Sequence, residues 1–408
     1  MIAGWAVMSC SHHLVENQSL VENLMKKHPR KLGKLIKDKD TLEIQIIYTQ
    51  INRDSLNRPN FKSFYFHVDS TRYFYPASTV KLPQVLLSFE KLNRLHVHGL
   101  SEFTTMLSDS VYAGQESVRK DTSSENGLPS IAHYAKKILI VSDNDAFNRL
   151  YEFVGQRETN DQLKKKGYNM RVLHRLERPL TIDQNRHTEA IRFVRNDSLI
   201  YSQPMLVNTD SIKPRRRVLK GIGYEKNGKI IHQPFDFTYK NLYPMQDQQL
   251  LLKAVLFPDA VAERYRFHIT ESQRKFVMKY MSQWPHETSY PAYKKDKIYT
   301  DSFCKFLMYG NGKKPAPSNI RIFNKVGDAY GYIMDNAYIV DFKNNIEFML
   351  SAVINTNTDA VYNDGKYEIE KIGYPFLRDL GKTIYKYELK RKRSHRPDLS
   401  AFRLTYDQ

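Results

Sequence analysis

The chain has 408 residues, with 63 Lys and Arg against 44 Asp and Glu, a formal charge of +19 at pH 7. It is long enough for one large domain or two ordinary ones, and 41% hydrophobic residues, 12% aromatic, suffice for a substantial core. It contains no run of about eighteen apolar residues, which rules out a transmembrane helix. Its two cysteines, Cys10 and Cys304, rule out a disulfide framework or a cysteine-rich zinc site.

Such a charge attracts anionic partners in general, but the basic residues are spread along the chain. Two clusters stand out, Arg215-Arg216-Arg217 and Lys390-Arg391-Lys392-Arg393, and no nucleic-acid motif accompanies either. No nucleic-acid partner is expected. His96 and His98 lie two apart without a carboxylate partner or a His-Glu-x-x-His pattern, so no metal and no cofactor are expected.

In chain order, residues 1–9 form a short apolar stretch ending at Cys10. Val7-Met8-Ser9-Cys10 resembles a bacterial lipoprotein cleavage box, although the basic residues that open a secretory signal are missing. The expectation is an exported, periplasmic or outer-membrane-associated protein tethered through a lipidated Cys10. Residues 10–39 read as a polar tether and a basic helix, with Leu20, Leu24 and Leu32 among charges.

Thr41–Tyr48 alternates in part and is β-rich, which predicts a strand. A turn at Asn57–Asn60 then leads to a second strand over Ser63–Val68. Val85, Leu86, Phe89 and Leu92 recur at helical spacing, so Lys81 to about 96 is a predicted helix. A further helix is predicted over 131–155, and a mixed, mostly helical stretch over about 190–290. Strands return at Ile320–Phe323, Ala337–Phe342 and Ile346–Ile354, the last two joined by a turn at Lys343–Asn345. A helix over about 366–388 closes the series, ahead of a basic tail at 391–408. The order predicts an α/β (α+β) fold: an antiparallel sheet flanked by helices, built from N- and C-terminal segments, with an inserted all-helical lobe.

Three clusters carry chemistry. Ser78-Thr79-Val80-Lys81 opens the amphipathic helix at 81, so serine and lysine share one face a turn apart. At a helix start, free N–H groups and the positive dipole end can meet a developing oxyanion. Ser-x-x-Lys also occurs at Ser88, Ser117, Ser272 and Ser302, without that setting. Ser142-Asp143-Asn144 follows an apolar run and precedes a helix, where capping alone would also favour these residues. Lys325-Val326-Gly327, unlike the Lys-x-Gly matches at Lys31, Lys165, Lys226 and Lys371, stands between two strand patterns. A strand lysine beside a glycine supplies a fixed cation and lets a substrate approach the backbone.

In this order, the three clusters resemble those of the class A β-lactamase and penicillin-binding serine hydrolase superfamily, over roughly residues 40–390. Arg175-Leu176-Glu177-Arg178-Pro179-Leu180 resembles the Ω-loop segment of class A enzymes. The resemblance implies that Ser78 attacks a carbonyl and that Lys81, or a water held by Glu177, takes its proton. It further implies that Ser142 passes a proton to the departing nitrogen, that Asn144 holds the acyl side-chain amide, and that Lys325 supplies positive potential. Gly327 would line the site, and backbone N–H groups of Ser78 and Asp328 would form the oxyanion hole.

The departures from the family are informative. Val326 stands where the family has Ser or Thr, and Asp328 adds a negative charge nearby. The strand that follows has no arginine. Losing one charge-assisted hydrogen bond to a substrate carboxylate costs about 1.5–3 kcal/mol. Thr181, expected with Asn144, Gly327 and Asp328 among the substrate-binding residues, replaces the asparagine that helps place the hydrolytic water, and about eighty extra residues, centred near 210–290, separate Glu177 from Lys325. The expected activity is acyl-enzyme hydrolysis of a β-lactam or related amide, by a monomer acting on a β-lactam or a cell-wall peptide. The alternatives are a peptidoglycan D,D-peptidase or esterase, and a non-hydrolytic acyl-binding sensor.

Overall fold

The computed structural model describes residues 20–210, 213–214 and 216–407. Cys10 and the cleavage-box resemblance lie outside the described residues. Five antiparallel strands form the main sheet: β1 Gln45–Arg53, β2 Pro59–Phe66, β3 Ile320–Ala329, β4 Tyr332–Asp341 and β5 Ile346–Asn355, in the spatial order β3-β4-β5-β1-β2. The N-terminal hairpin joins the C-terminal meander through Gln45–Gln50 of β1, paired with Phe348–Val353 of β5. This is the sheet expected from distant segments. Each C-terminal strand is longer than its apolar run suggested, and Lys325 sits inside β3 rather than at its end.

One face of the sheet packs under the closing helix α5, Tyr374–Lys390, whose Phe376, Leu377, Leu380 and Ile384 are buried. The basic N-terminal segment docks on the same layer through buried Leu24 and Leu32. The other face meets the inserted lobe, built on α1 Lys81–Leu95, α2 Ile131–Val141, α3 Asn144–Val154 and α4 Glu271–Ser282.

That lobe is not all-helical. Thr105–Asp109, Ala190–Arg195 and Ser198–Gln203 make a three-stranded sheet within it. Short strands follow over 219–236, in a stretch expected to be mostly helical. Hairpins at Ala190–Gln203 and Gly223–Ile231 pair locally, but Thr105–Asp109 and Val361–Tyr362 join them from distant sequence, which periodicity over a window does not register. The helix predicted over 131–155 is two helices. Ser142 caps α2 in the left-handed conformation (φ +63°), and Asp143 caps α3 by accepting a hydrogen bond from the Ala146 N–H at 2.7 Å.

The basic C-terminal segment is not a free tail. Leu399 and Phe402 are buried, the Arg321 guanidinium lies 3.9 Å from the Tyr406 ring centre, and Asp407 pairs with Lys136 and Lys279 at 2.7 Å each. Arg391 and Arg393 both bond the fully buried Glu388, so two charges of the second basic cluster are structural.

Candidate active site

Ser78 is half-buried on a short 3-10 turn, Ala77–Val80, that runs directly into α1. The turn is pinned by Thr79, whose N–H and hydroxyl both donate to the Pro76 carbonyl, at 3.1 and 2.7 Å. Ala77 takes φ +46°, a conformation that L residues adopt only when their surroundings impose it. The other Ser-x-x-Lys matches lie elsewhere. Ser88, for example, is fully buried and donates to the Gln84 carbonyl of its own helix at 2.8 Å.

Strand β3 lies against this turn because residue 327 is a glycine. A Cβ there would meet the Pro76 carbonyl oxygen at 2.7 Å and Thr79 Cγ2 at 3.1 Å. That close approach brings Lys325 within hydrogen-bond reach of Ser142. Lys325 Nζ donates to Ser142 Oγ at 2.7 Å and to the Val326 carbonyl at 3.2 Å. Lys81 Nζ donates to Asn144 Oδ1 at 2.5 Å, to Ser142 Oγ at 3.2 Å, and to the Ser142 carbonyl. The αL turn at Ser142 makes this geometry possible, because it aims the hydroxyl and the carbonyl of one residue back at both ammonium groups.

Both lysines are held in a low-dielectric floor. Burial pushes the Lys81 ammonium well below its ordinary pKa, and the nearby Lys325 charge pushes it further. Burial brings Lys325 down to about 8. Lys305 is also brought to about 8 by burial, beneath the site, where its ammonium donates to the Met281 carbonyl at 2.9 Å. Asp335, raised to about 6 mainly by burial, accepts from Asn324 at 2.7 Å and from the Leu307 N–H at 3.0 Å. Lys305, Cys304 and Asp335 were not found from the sequence. They carry no motif, and only their packing beside Lys325 makes them electrostatic neighbours.

The cleft has two arms that meet at Ser78, Asn144 and Asp328. One, about 570 Å³, is lined by Ser142, Thr300, Cys304, Val326 and Tyr374. The other, about 630 Å³, is lined by Tyr75, Glu177, Phe235, Tyr330 and Tyr367. Asp328 opens to solvent at the junction, yet the cleft walls strip enough water from it to raise its carboxyl to about 6, with the Glu370 charge adding to the effect.

Glu177 is exposed on its loop at φ +52° and faces the second arm. Its position is set by its neighbours. Asn148 of α3 accepts from the Leu176 N–H at 2.9 Å and donates to the Leu176 carbonyl at 3.0 Å. Arg175 is buried, pairs with Glu152 and donates to the His187 carbonyl at 2.7 Å. The helix that presents Asn144 therefore also clamps the loop that presents Glu177.

Thr181 lines neither arm of the cleft. Its hydroxyl accepts from the Gln184 N–H at 3.1 Å, and the Gln184 side chain returns a bond to the Thr181 N–H at 2.9 Å, closing a capping box on Ile182–Arg186. The substrate-contact role expected of Thr181 is therefore not supported by its position. Ser78, Lys81, Ser142, Asn144, Lys325, Gly327, Asp328 and Glu177 do converge.

The arrangement can perform acyl transfer. It offers a solvent-reachable hydroxyl on a turn, a buried amine that is easily neutral, a second hydroxyl shared by two amines, and a carboxylate across the cleft. Residues 29–206 match the family model described as the β-lactamase enzyme family. Among solved structures, a β-lactamase from Xanthomonas campestris is 12% identical, covering 90% of this chain and 98% of that chain, with a TM-score of 0.47. A class A β-lactamase from Clostridium kluyveri is 11% identical, covering 91% and 98%, at a TM-score of 0.46. A mutant of PBP-A, solved as an acyl-enzyme complex with penicillin G, is 14% identical, covering 92% and 96%, at 0.45. A glutamyl aminopeptidase from Bitis rhinoceros is 24% identical over 176 residues, 43% of this chain but only 17% of that protein's length.

Proposed function

We propose that the chain is a serine hydrolase of the β-lactamase and penicillin-binding protein superfamily, a reading that the family match over residues 29–206 supports, and that it cleaves a β-lactam or a related cell-wall amide through an acyl-enzyme on Ser78. The observation that carries this reading is the shared hydroxyl: Ser142 Oγ lies 2.7 Å from Lys325 Nζ and 3.2 Å from Lys81 Nζ.

In the proposed sequence, Ser78 Oγ bonds to the substrate carbonyl carbon and its proton passes to neutral Lys81. The tetrahedral oxyanion is met by the N–H groups of Ser78 and Asp328. When the carbon–nitrogen bond breaks, the proton moves from Lys81 through Ser142 to the departing nitrogen. Lys325 stays charged and stabilises negative charge in the cleft. A water deprotonated by Glu177 then attacks the acyl carbon, and Ser78 recovers its proton as it leaves. The strained φ of Glu177 supports such a role, because strain of this kind gathers at functional positions.

Two observations favour slow turnover, as in a D,D-peptidase or an acylated sensor. Val326 offers no hydroxyl to a substrate carboxylate, and the Thr181 hydroxyl is spent on its helix cap. Incubation with penicillin G followed by intact-protein mass spectrometry tests the proposal. A transient adduct fits hydrolysis and a lasting one fits the slower alternatives, whereas no adduct with β-lactams or acyl esters contradicts acyl transfer. Export forms part of the same proposal, since an envelope substrate requires it, and the cleavage-box resemblance at Cys10 supports a lipid tether.

A further inference from the structure

The arm of the cleft on the Glu177 side is walled by rings. Tyr75 packs edge-on to Tyr330 with ring centres 4.9 Å apart, and Phe235 lies 5.5 Å from Tyr330. The Lys240 ammonium hangs over the faces of Phe235 and Tyr330, at 5.9 and 5.8 Å from their centres. Behind them Phe237 and Tyr362 are buried, which fixes the wall. Phe235 and Lys240 come from the inserted segment, so this wall is made by the extra residues between Glu177 and Lys325.

Tyr330 is the telling residue. Ala329 pairs with Tyr332, so Tyr330 and Gly331 alone turn the β3–β4 hairpin, at φ +55° and +78°. A two-residue turn with both φ positive calls for Asn-Gly or Gly-Gly. A half-buried aromatic residue in its first position is strained, and backbone strain persists where its result is used. Here its result is a ring aimed into the arm that begins at Ser78.

We propose that Phe235 and Tyr330 are specificity-determining residues that select substrates with a planar aromatic acyl substituent. The proposal rests on the acyl-transfer reading for its chemistry, but not for the recess itself. Faces and edges of the three half-buried rings, Phe235, Tyr330 and Tyr367, can receive such a group in offset or edge-on packing.

The test compares acylation rates of Ser78 by penicillin G and by its N-acetyl counterpart, which lacks only the ring-bearing substituent. The expected preference for penicillin G is at least tenfold, falling toward parity in Tyr330→Asn and in Phe235→Ala. Tyr330→Asn should melt no lower than wild type, because Asn suits the turn, so a lost preference cannot be put down to unfolding. A second arm uses phenylacetate and acetate binding to Ser78→Ala, read by saturation-transfer NMR. Phenylacetate binding that Tyr330→Asn removes supports the recess even if no β-lactam reacts. Equal acylation by the two penicillins, or a preference that survives both replacements, overturns it while leaving acyl transfer intact. Absence of phenylacetate binding overturns it as well.

Discussion

Lys325 Nζ and Ser142 Oγ lie 2.7 Å apart although 183 residues separate them in the chain. The contact depends on Gly327, which lets strand β3 rest on the turn that carries Ser78. Closure of this distance turns three short clusters into one site.

The glycine is therefore testable. Gly327→Ala places a Cβ 2.7 Å from the Pro76 carbonyl, a backbone atom with no room to move. Overpacking of this kind costs about 1–3 kcal/mol. Thermal unfolding should show that loss, and acylation should fall further, because β3 and the Ser78 turn separate together.

Lys325 couples activity and stability in opposite directions. Its replacement by Met removes a buried ammonium and should raise the melting temperature, while acylation falls roughly 10²–10³-fold as a transition-state charge partner is lost. The pH dependence follows from the sign of the shift. The folded-state value is about 8 against 10.5, so the unfolded chain binds more protons between those values. The penalty of burying this charge is complete below about pH 8 and disappears as pH rises toward 10.5. The stability gap between Lys325→Met and wild type should shrink across that window in denaturant titrations.

Catalysis should follow a bell-shaped pH profile. The rising limb reports Lys81 losing its proton, well below the usual lysine range, because burial and Lys325 disfavour its charge. The falling limb, near pH 8, reports Lys325 losing its own. Steady-state acylation rates against pH check both limbs, and Lys325→Met should remove the falling one.

Glu177→Gln should leave acylation largely intact and slow deacylation by about 10²–10⁴-fold, the usual worth of a positioned general base. The measurement is the lifetime of the acyl-enzyme by mass spectrometry. Val326→Thr restores a hydroxyl to the other arm and should strengthen recognition of carboxylate-bearing substrates by about 1.5–3 kcal/mol, read as a tenfold or greater gain in the acylation rate constant.

Much of the site was legible in the sequence because its chemistry is local. Serine and lysine one turn apart, a Ser-Asp-Asn step between helices and a lysine beside a strand glycine can each be read in three or four letters. The sheet was legible for a similar reason, since Ile346–Asn355 and Gln45–Arg53 carry β-branched and aromatic residues at strand length. The lobe was harder. Ala190–Arg195 becomes a strand by pairing with Thr105–Asp109, about eighty residues away, and no local pattern announces such a partner. Thr181 stays outside the cleft because its Thr-x-x-Gln spacing makes a capping box, a purely local use of the same hydroxyl. Phe235 and Tyr330 reach the cleft only through packing and a strained turn, which composition does not reveal.

The most direct test of the central claim is intact-protein mass spectrometry of the wild-type chain and Ser78→Ala after brief exposure to penicillin G. Acyl transfer through Ser78 gives a mass increase of one opened penicillin on the wild type, mapped to the peptide containing Ser78, and none on the variant. An adduct of equal yield on Ser78→Ala, or one mapped to another residue, would contradict it.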